Sequence, residues 1–281
     1  MLQLEKTKEF WHRYRRSRSA VAGLILVLFY TSLAIFGPFL APYGPYATGP
    51  KAFQLPNSEH LMGTDDLGRD LFSQVLYGAR TSLLIGFLAA ATSTLIGVLV
   101  GAVSGYVGGR VDDILMRITE LFMMIPQFFL LMILMVLFGP SMLNLVLVIG
   151  GLSWPGTARL VRAEFLALKE SPFVEAARSV GASRLHIIFS EILPNATPPI
   201  VVSGTLMVGS AIIMEAGLSF LGLGDPEVMS WGKILNGAQR FITRVWHVSL
   251  FPGLSIFLTC LGLNMMGDGL NDALNPRLKE R

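Results

Sequence analysis

Ser171-Pro172-Phe173-Val174-Glu175-Ala176-Ala177-Arg178-Ser179-Val180-Gly181, running on to Leu193-Pro194-Asn195, interrupts a chain that is otherwise a succession of apolar windows. A polar, helix-shaped insert in a lipid-embedded protein is kept for a partner in the water. Of 281 residues, 52% are hydrophobic and 15% charged, where soluble domains carry about 25% charged residues; the mean hydropathy is +0.59. Windows near the roughly 20 residues that a spanning helix needs lie at Ala20 to Leu40, Ser82 to Gly105, Ile118 to Phe138, Met142 to Ala158, Pro199 to Phe220 and Val248 to Gly267. The fold expected is an all-α polytopic membrane protein with six transmembrane helices.

The first window follows Lys6, Lys8, Arg13, Arg15, Arg16 and Arg18, as a signal peptide would. It is too long for an h-region and lacks a small-x-small cleavage site before Pro42, so it reads as an uncleaved anchor. With the amino terminus inside, residues 1–19, 106–117, 159–198 and 268–281 face the cytoplasm and hold sixteen Lys and Arg, against six in the two longer outer loops. This asymmetry follows the positive-inside rule. The expected organisation is a cytoplasmic lead at 1–19, a first span at 20–40 and an external loop at 41–81. A five-helix core at 82–267 follows, with a cytoplasmic loop at 163–194, and then a cytoplasmic tail at 268–281. The net charge of +3 sits in these flanks, which suits anionic lipid headgroups and not nucleic acid. Phe10, Trp11 and Tyr14 among the basic residues suit the membrane interface.

Within 163–194, Ser171 is placed to cap a helix and Pro172 to occupy its first position. Phe173, Val174, Ala177 and Val180 give one apolar face about two turns long, and Gly181 supplies a left-handed stop. Such a helix fits a partner's groove. The rival reading, a helix lying on the bilayer, predicts Lys and Arg along the polar side and a longer apolar face; Glu175 and the two alanines favour the groove.

Other features are weighed the same way. Gly97, Gly101 and Gly105 share one helical face and allow close packing. Gly105, Gly108 and Gly109 invite a phosphate-loop reading, but the only Gly-Lys pair, Gly232-Lys233, precedes Ile234, so the Gly-Lys-Ser/Thr signature is missing. The chain is not expected to bind ATP. Pro126 and Pro155 should kink their spans, as hinges or as static bends. Asp65, Asp66 and Asp70 lack the alternating acids and closing Glu of a calcium loop; pairing with Arg69 is the reading taken. Glu215 is the acidic residue set deep in an apolar stretch, a functional suspect by default. A structural or gate role is preferred to a proton relay, because the spans offer it no basic partner. His12, His60, His186 and His247 are scattered and no catalytic pattern emerges. Cys260 is the sole cysteine, so neither an internal disulfide nor a paired-cysteine metal site is possible.

Glu175-Ala176-Ala177, Gly181 four residues later, then Leu193-Pro194, resembles the EAA loop of ABC importer permeases, with Glu191 where the family motif has Ile. His60-Leu61-Met62-Gly63-Thr64-Asp65-Asp66-Leu67-Gly68-Arg69-Asp70, before Tyr77-Gly78-Ala79-Arg80, looks like the external stretch of the C-type permease subunit of dipeptide, oligopeptide and nickel importers. The run from Glu215 to Gly224, Trp231-Gly232, Phe251-Pro252-Gly253 and the run from Gly267 to Pro276 are similar to the same subunit. This resemblance covers about residues 10 to 278 and implies a type I importer core with an extra N-terminal helix. It implies ATPase coupling through Glu175, Ala176, Ala177 and Gly181. It also implies that the loop bearing His60, Gly63, Thr64, Asp65, Gly68, Arg69 and Asp70 faces a solute-binding protein or a companion permease. The implied partners are a second homologous permease and two cytoplasmic ABC ATPases, which hold the ATP and Mg; this chain carries no cofactor and is not itself an enzyme. The implied setting is the inner or plasma membrane of a prokaryote, multi-pass with both termini cytoplasmic. A short peptide is the first candidate substrate, ahead of nickel chelates, glutathione and oligosaccharides. The rival class is an ion-gradient-driven secondary transporter using Glu215.

Overall fold

The computed structural model describes residues 10–274. The expectations that fall on residues 1–9 and 275–281, the ends of the lead and of the tail, lie outside the described residues. A helical turn over residues 10–16 leads into α1 (Arg18–Leu40), whose cap is Ser17, its side chain accepting from the Ala20 amide. Tyr14 is buried and its hydroxyl donates to the Ala20 carbonyl at 3.0 Å. Trp11 stays exposed with Arg15 over its ring, 4.9 Å from the centroid.

Asp70 then caps α2 (Leu71–Val107) by accepting from the Ser73 amide. The helix therefore begins at Leu71 and not near Ser82, and the irregular segment before it ends at Asp70 and not at residue 81. The cap moves the boundary: apolar windows locate the lipid-soluble part of a helix, while Asp70 lets the helix start outside it.

The expected span at 118–138 is broken. α3 (Gly109–Met124) and α4 (Gln127–Phe138) meet at 85° across Ile125-Pro126. α5 (Met142–Lys169) runs unbroken through Pro155, so one expected kink is a sharp elbow and the other lies within a continuous helix. The segment 163–194 contains the end of α5, α6 (Pro172–Ser179) and the start of α7 (Arg184–Phe220). α8 (Trp231–Ala238) and α9 (Trp246–Leu274) complete the chain.

Among the described residues, four helices, α1, α2, α7 and α9, are long and apolar enough to cross a membrane, and a fifth crossing is available if α3 and α4 count as one span. The six crossings expected from the sequence are not reached by this measure. α5 falls short because its apolar run gives way to Ser153-Trp154-Pro155-Gly156-Thr157 and then Arg159 and Arg162.

α2 is the axis of the bundle, lying against α5, α7 and α1, while α1 also packs on α9. Lipid offers helices no hydrophobic reason to associate, so close contact between small residues carries the packing. A methyl group on Gly97 would sit 2.6 Å from Thr157 Cβ, on Gly101 2.4 Å from the Ala158 carbonyl oxygen, and on Gly105 2.7 Å from Phe165 Cβ. The glycine face read from the sequence is thus the α2–α5 seam. At the end of the bundle that carries α6, Val161, Phe165, Val174, Ile187, Ile192 and Ile200 form one buried cluster. On the outside, Ile25, Phe29, Phe36, Leu95, Ile133, Leu147 and Phe257 leave an apolar belt for lipid.

Candidate functional site

α6 sits on that buried cluster and is held at both ends. At its start, Ser171 does not use its hydroxyl as a cap, contrary to expectation. The hydroxyl donates to the Leu168 carbonyl, and the Ser171 carbonyl receives the amides of Val174 (3.0 Å) and Glu175 (3.2 Å). The turn from α5 into α6 is so short that the hydroxyl satisfies the outgoing helix instead of the incoming one. At its end, Gly181 has φ +80°. The Ala182 amide donates to the Ala177 carbonyl and the Gly181 amide to the Arg178 carbonyl, both at 3.0 Å. This is the paired arrangement in which a left-handed glycine closes a helix and satisfies its last carbonyls.

The expected single apolar face is divided. Val174 is fully buried (0% exposed) and Ala177 packs against the cluster, whereas Phe173 points outward and Val180 is 84% exposed. Val174 shares the buried cluster with Phe165 and Ile187, and that burial anchors the helix. The free surface consists of Pro172, Phe173, Glu175, Ala176, Arg178, Ser179, Val180 and Gly181. Of the sequence-named coupling residues, Glu175, Ala176 and Gly181 face outward and Ala177 is half-buried. Among the described residues, its two chain neighbours aside, nothing lies within 4 Å of a methyl group placed on Gly181.

Downstream, α7 opens with a π-helical segment, Ile187–Ile192. Pro194 has no amide hydrogen and its ring presses on the carbonyl four residues back; widening the turn accommodates both effects. The wider turn puts Ile192 into the core and Glu191 outside it, with its carboxylate 3.6 Å from His186 Nε2. The family's Ile position therefore carries Glu without burying it, because the neighbouring Ile192 fills the core.

A clamp that the sequence reading missed lies beside this end. Arg162 donates from Nε to Asp112 Oδ1 and from Nη2 to Asp112 Oδ2, each at 2.6 Å, and Ser104 donates to the same carboxylate. The clamp joins α2, α3 and α5. Its signal was an acid just after the Gly108-Gly109 turn and an Arg one turn beyond the apolar stretch of α5, two positions that only the folded chain brings together.

The other sequence-named cluster, in the loop before α2, is closed on itself. Asp65 accepts from the amides of Leu67 and Arg69 (both 2.9 Å), from Arg69 Nε (2.7 Å) and from Gln74 Nε2 (2.8 Å). Asp70 accepts from the Ser73 amide and hydroxyl (both 2.7 Å) and pairs with His60 Nδ1 at 2.9 Å. The Gln54 amide donates to Thr64 Oγ1, which donates in turn to the Lys51 carbonyl. Gly63 and Gly68 leave room for Gln54, the His247 ring and Gly49. Thr64, Asp65 and Asp70 are buried, so their polar groups bond within the chain.

Glu215 is completely buried (0% exposed). It accepts from Ser219 Oγ at 2.7 Å within α7 and from Ser82 Oγ at 3.0 Å on α2, and the Trp231 amide donates to Ser82 Oγ at 3.2 Å. These neutral donors make the carboxylate a tie between α2, α7 and the start of α8.

The chain matches the model of the binding-protein-dependent transport system inner membrane component over residues 97–280, and that of the N-terminal TM domain of oligopeptide transport permease C over residues 6–57. It is 42% identical to the dipeptide transport system permease protein DppC of Escherichia coli (strain K12), covering 97% of this chain and 94% of that one. It is 39% identical to the protein of the same name from Alkalihalophilus pseudofirmus, covering 97% and 90%, and 40% identical to the glutathione transport system permease protein GsiD of Pectobacterium atrosepticum, covering 97% and 91%. The bundle superposes on a solved chain of the MetNI methionine ABC transporter in an inward facing conformation, with a TM-score of 0.59 and 21% identity over 72% of this chain and 96% of that one; at that identity the likeness speaks for the fold alone. The chain is a multi-pass membrane protein of the binding-protein-dependent transport system inner membrane component family, in its oligopeptide permease C branch.

Proposed function

We propose that this chain is one of two permease subunits of an ATP-driven, binding-protein-dependent importer of di- and oligopeptides. In this reading the translocation path lies between it and a homologous second permease, and an external solute-binding protein delivers the substrate. Two ABC ATPases on the cytoplasmic side hold the ATP and Mg. Both termini and α6 lie on that side, in the inner or plasma membrane of a prokaryote. The peptide assignment comes from the names of the relatives; glutathione is a relative's substrate and stands second.

One observation carries the coupling assignment. α6 is held to the bundle by its buried face and by the bond of Ser171 to Leu168 at its start, while Phe173, Glu175, Ala176 and Val180 stay uncovered. A force applied to that uncovered face passes to α5 through the buried cluster that holds Val174 and Phe165, and from α5 to α3 through Arg162 and Asp112. Bundle halves that rock on such levers alternate access to a central path. The ion-gradient reading through Glu215 is weaker, since the carboxylate is sealed among hydroxyl donors.

The test is reconstitution of the permease pair and ATPases in vesicles with the binding protein. Dipeptide uptake should require ATP. Uptake that persists on an ion gradient without the ATPases overturns the proposal.

A further inference from the structure

The elbow between α3 and α4 holds a polar site outside those described above. In hydrocarbon, irregular backbone persists only where protein covers it or where it lines a watery cavity. Here the chain turns by 85° while Met124, Ile125 and Phe129 remain exposed. Between the elbow and α5 a cavity opens, walled in part by Phe122, Met123, Gln127, Ser153 and Gly156. Gln127 Nε2 donates to Ser153 Oγ at 2.7 Å, and Ser153 Oγ donates to the Ile149 carbonyl at 2.7 Å. A glutamine amide offers two N–H donors and a carbonyl with two lone pairs. This bond uses one donor, so the second N–H and the carbonyl oxygen remain unspent beside the cavity.

The backbone adds acceptors. Pro155 lacks the amide hydrogen that would bond the carbonyl at position 151, and the break at Pro126 leaves the last carbonyls of α3 without donors from their own helix. Gly156, on the cavity wall, has open space where a side chain would stand. The wall thus sets the free amide groups of Gln127 beside two soft, apolar residues, Phe122 and Met123.

We propose that this cavity is a subsite for the backbone of a short peptide, with Gln127 as its polar anchor. The proposal rests on the peptide-importer reading. A peptide unit presents one N–H and one C=O, which a glutamine amide matches with one acceptor and one donor. Phe122 and Met123 accommodate varied side chains, as polarizable methionine does on adaptable surfaces. A lipid acyl chain offers no hydrogen-bonding group, and a neighbouring helix, its backbone amides paired internally, meets the wall only through side chains, so a peptide unit is the occupant whose backbone matches both free groups of Gln127.

The assembled complex tests the subsite with a dipeptide that carries a bromoacetyl group on its side chain. Cys260, the only native cysteine, is buried. During ATP turnover, Gln127→Cys should be alkylated about tenfold faster than Leu147→Cys on the lipid-facing side of α5, because proximity governs the rate, and excess unmodified dipeptide should suppress the reaction. Labelling no faster than at Leu147→Cys, or labelling that unmodified dipeptide leaves unchanged, overturns the subsite. Gln127→Leu should lower maximal uptake about fivefold with assembly intact. Asn144→Ala, which frees the end of α4 by removing the bonds to the Phe138 and Gly139 carbonyls, should leave uptake unchanged; equal losses in both variants reduce Gln127 to packing and also overturn the proposal. Native complex that fails to import dipeptide brings down the importer reading itself, whereas import without labelling brings down the subsite alone.

Discussion

The loop before α2 and the helix α6 are both polar interruptions of an apolar chain, and both stood out as partner surfaces. Folded, they behave oppositely. In the loop, Asp65 gathers four donors and Asp70 three partners, all from within the chain. In α6, Val174 alone is buried, and the outward residues are left uncovered. A polar group with its partners at hand stabilises its own fold; one left uncovered is free for another protein.

The sharpest way to break that comparison is Asp65→Ala. Breaking a buried ion pair by removing one member costs about 3–5 kcal/mol, so detergent-solubilised protein should lose most of its thermal stability. A variant that keeps its melting temperature yet loses transport would make the loop a docking surface after all.

Next in size is Asp112→Asn, which keeps the shape but weakens the grip on Arg162. Because Arg162 is partly exposed, the cost should lie at the low end of the roughly 1.5–3 kcal/mol of a hydrogen bond to a charged group. Uptake should fall further than the melting temperature implies. Equal behaviour of Asp112→Asn and native protein in both assays would remove the clamp from the coupling path.

Gly181→Val is a smaller perturbation. It forces a branched residue into the left-handed region at a cost of about 1–2 kcal/mol, with no clash inside the chain. Assembly with the ATPases should weaken, and Gly181→Asn, which tolerates that conformation, should recover most of it. If Gly181→Val matches native protein in ATPase-driven uptake, the coupling assignment of α6 fails.

The smallest effect on stability belongs to Val180→Ser. An exposed position away from special features shifts stability by about 0.5 kcal/mol or less, so the melting curve should be unchanged while co-purification of the ATPase declines. Unchanged co-purification would remove Val180 from the proposed interface.

Much of this was legible beforehand for local reasons. Pro172 and Gly181 mark helix ends because helix-start prolines and left-handed stops are properties of a few neighbouring residues, whereas Asp70, read for its ion pair, showed itself as a cap only in the folded chain. Gly97, Gly101 and Gly105 announce a seam because their spacing alone puts them on one face. Two prolines show the limit. Pro126 and Pro155 read alike, yet only Pro126 breaks its helix. On either side of Pro155, α5 is pinned to α2 at Ile149 and Gly150, then at Thr157, Ala158 and Val161, and that packing holds the helix together across the missing bond. α3 buries only Asp112 and Thr119, and α4 only Leu131 and Met135, so nothing opposes the bend at Pro126.

The sequence by itself determined that the chain is helical and lipid-embedded, where α6 ends, and to which family it belongs, because apolar length, capping chemistry and ordered motifs are written along the chain. Tertiary structure alone decided which polar residues are spent inside and which are offered outside. It divided the apolar face of α6 by burying Val174 in one cluster with Phe165 and Ile187 while Val180 stayed outside. It joined Asp112 to Arg162 across fifty positions, and it set Gln127 against Ser153 at the elbow. Contacts between distant residues depend on how helices cross, and that geometry exists only once all of them are packed together.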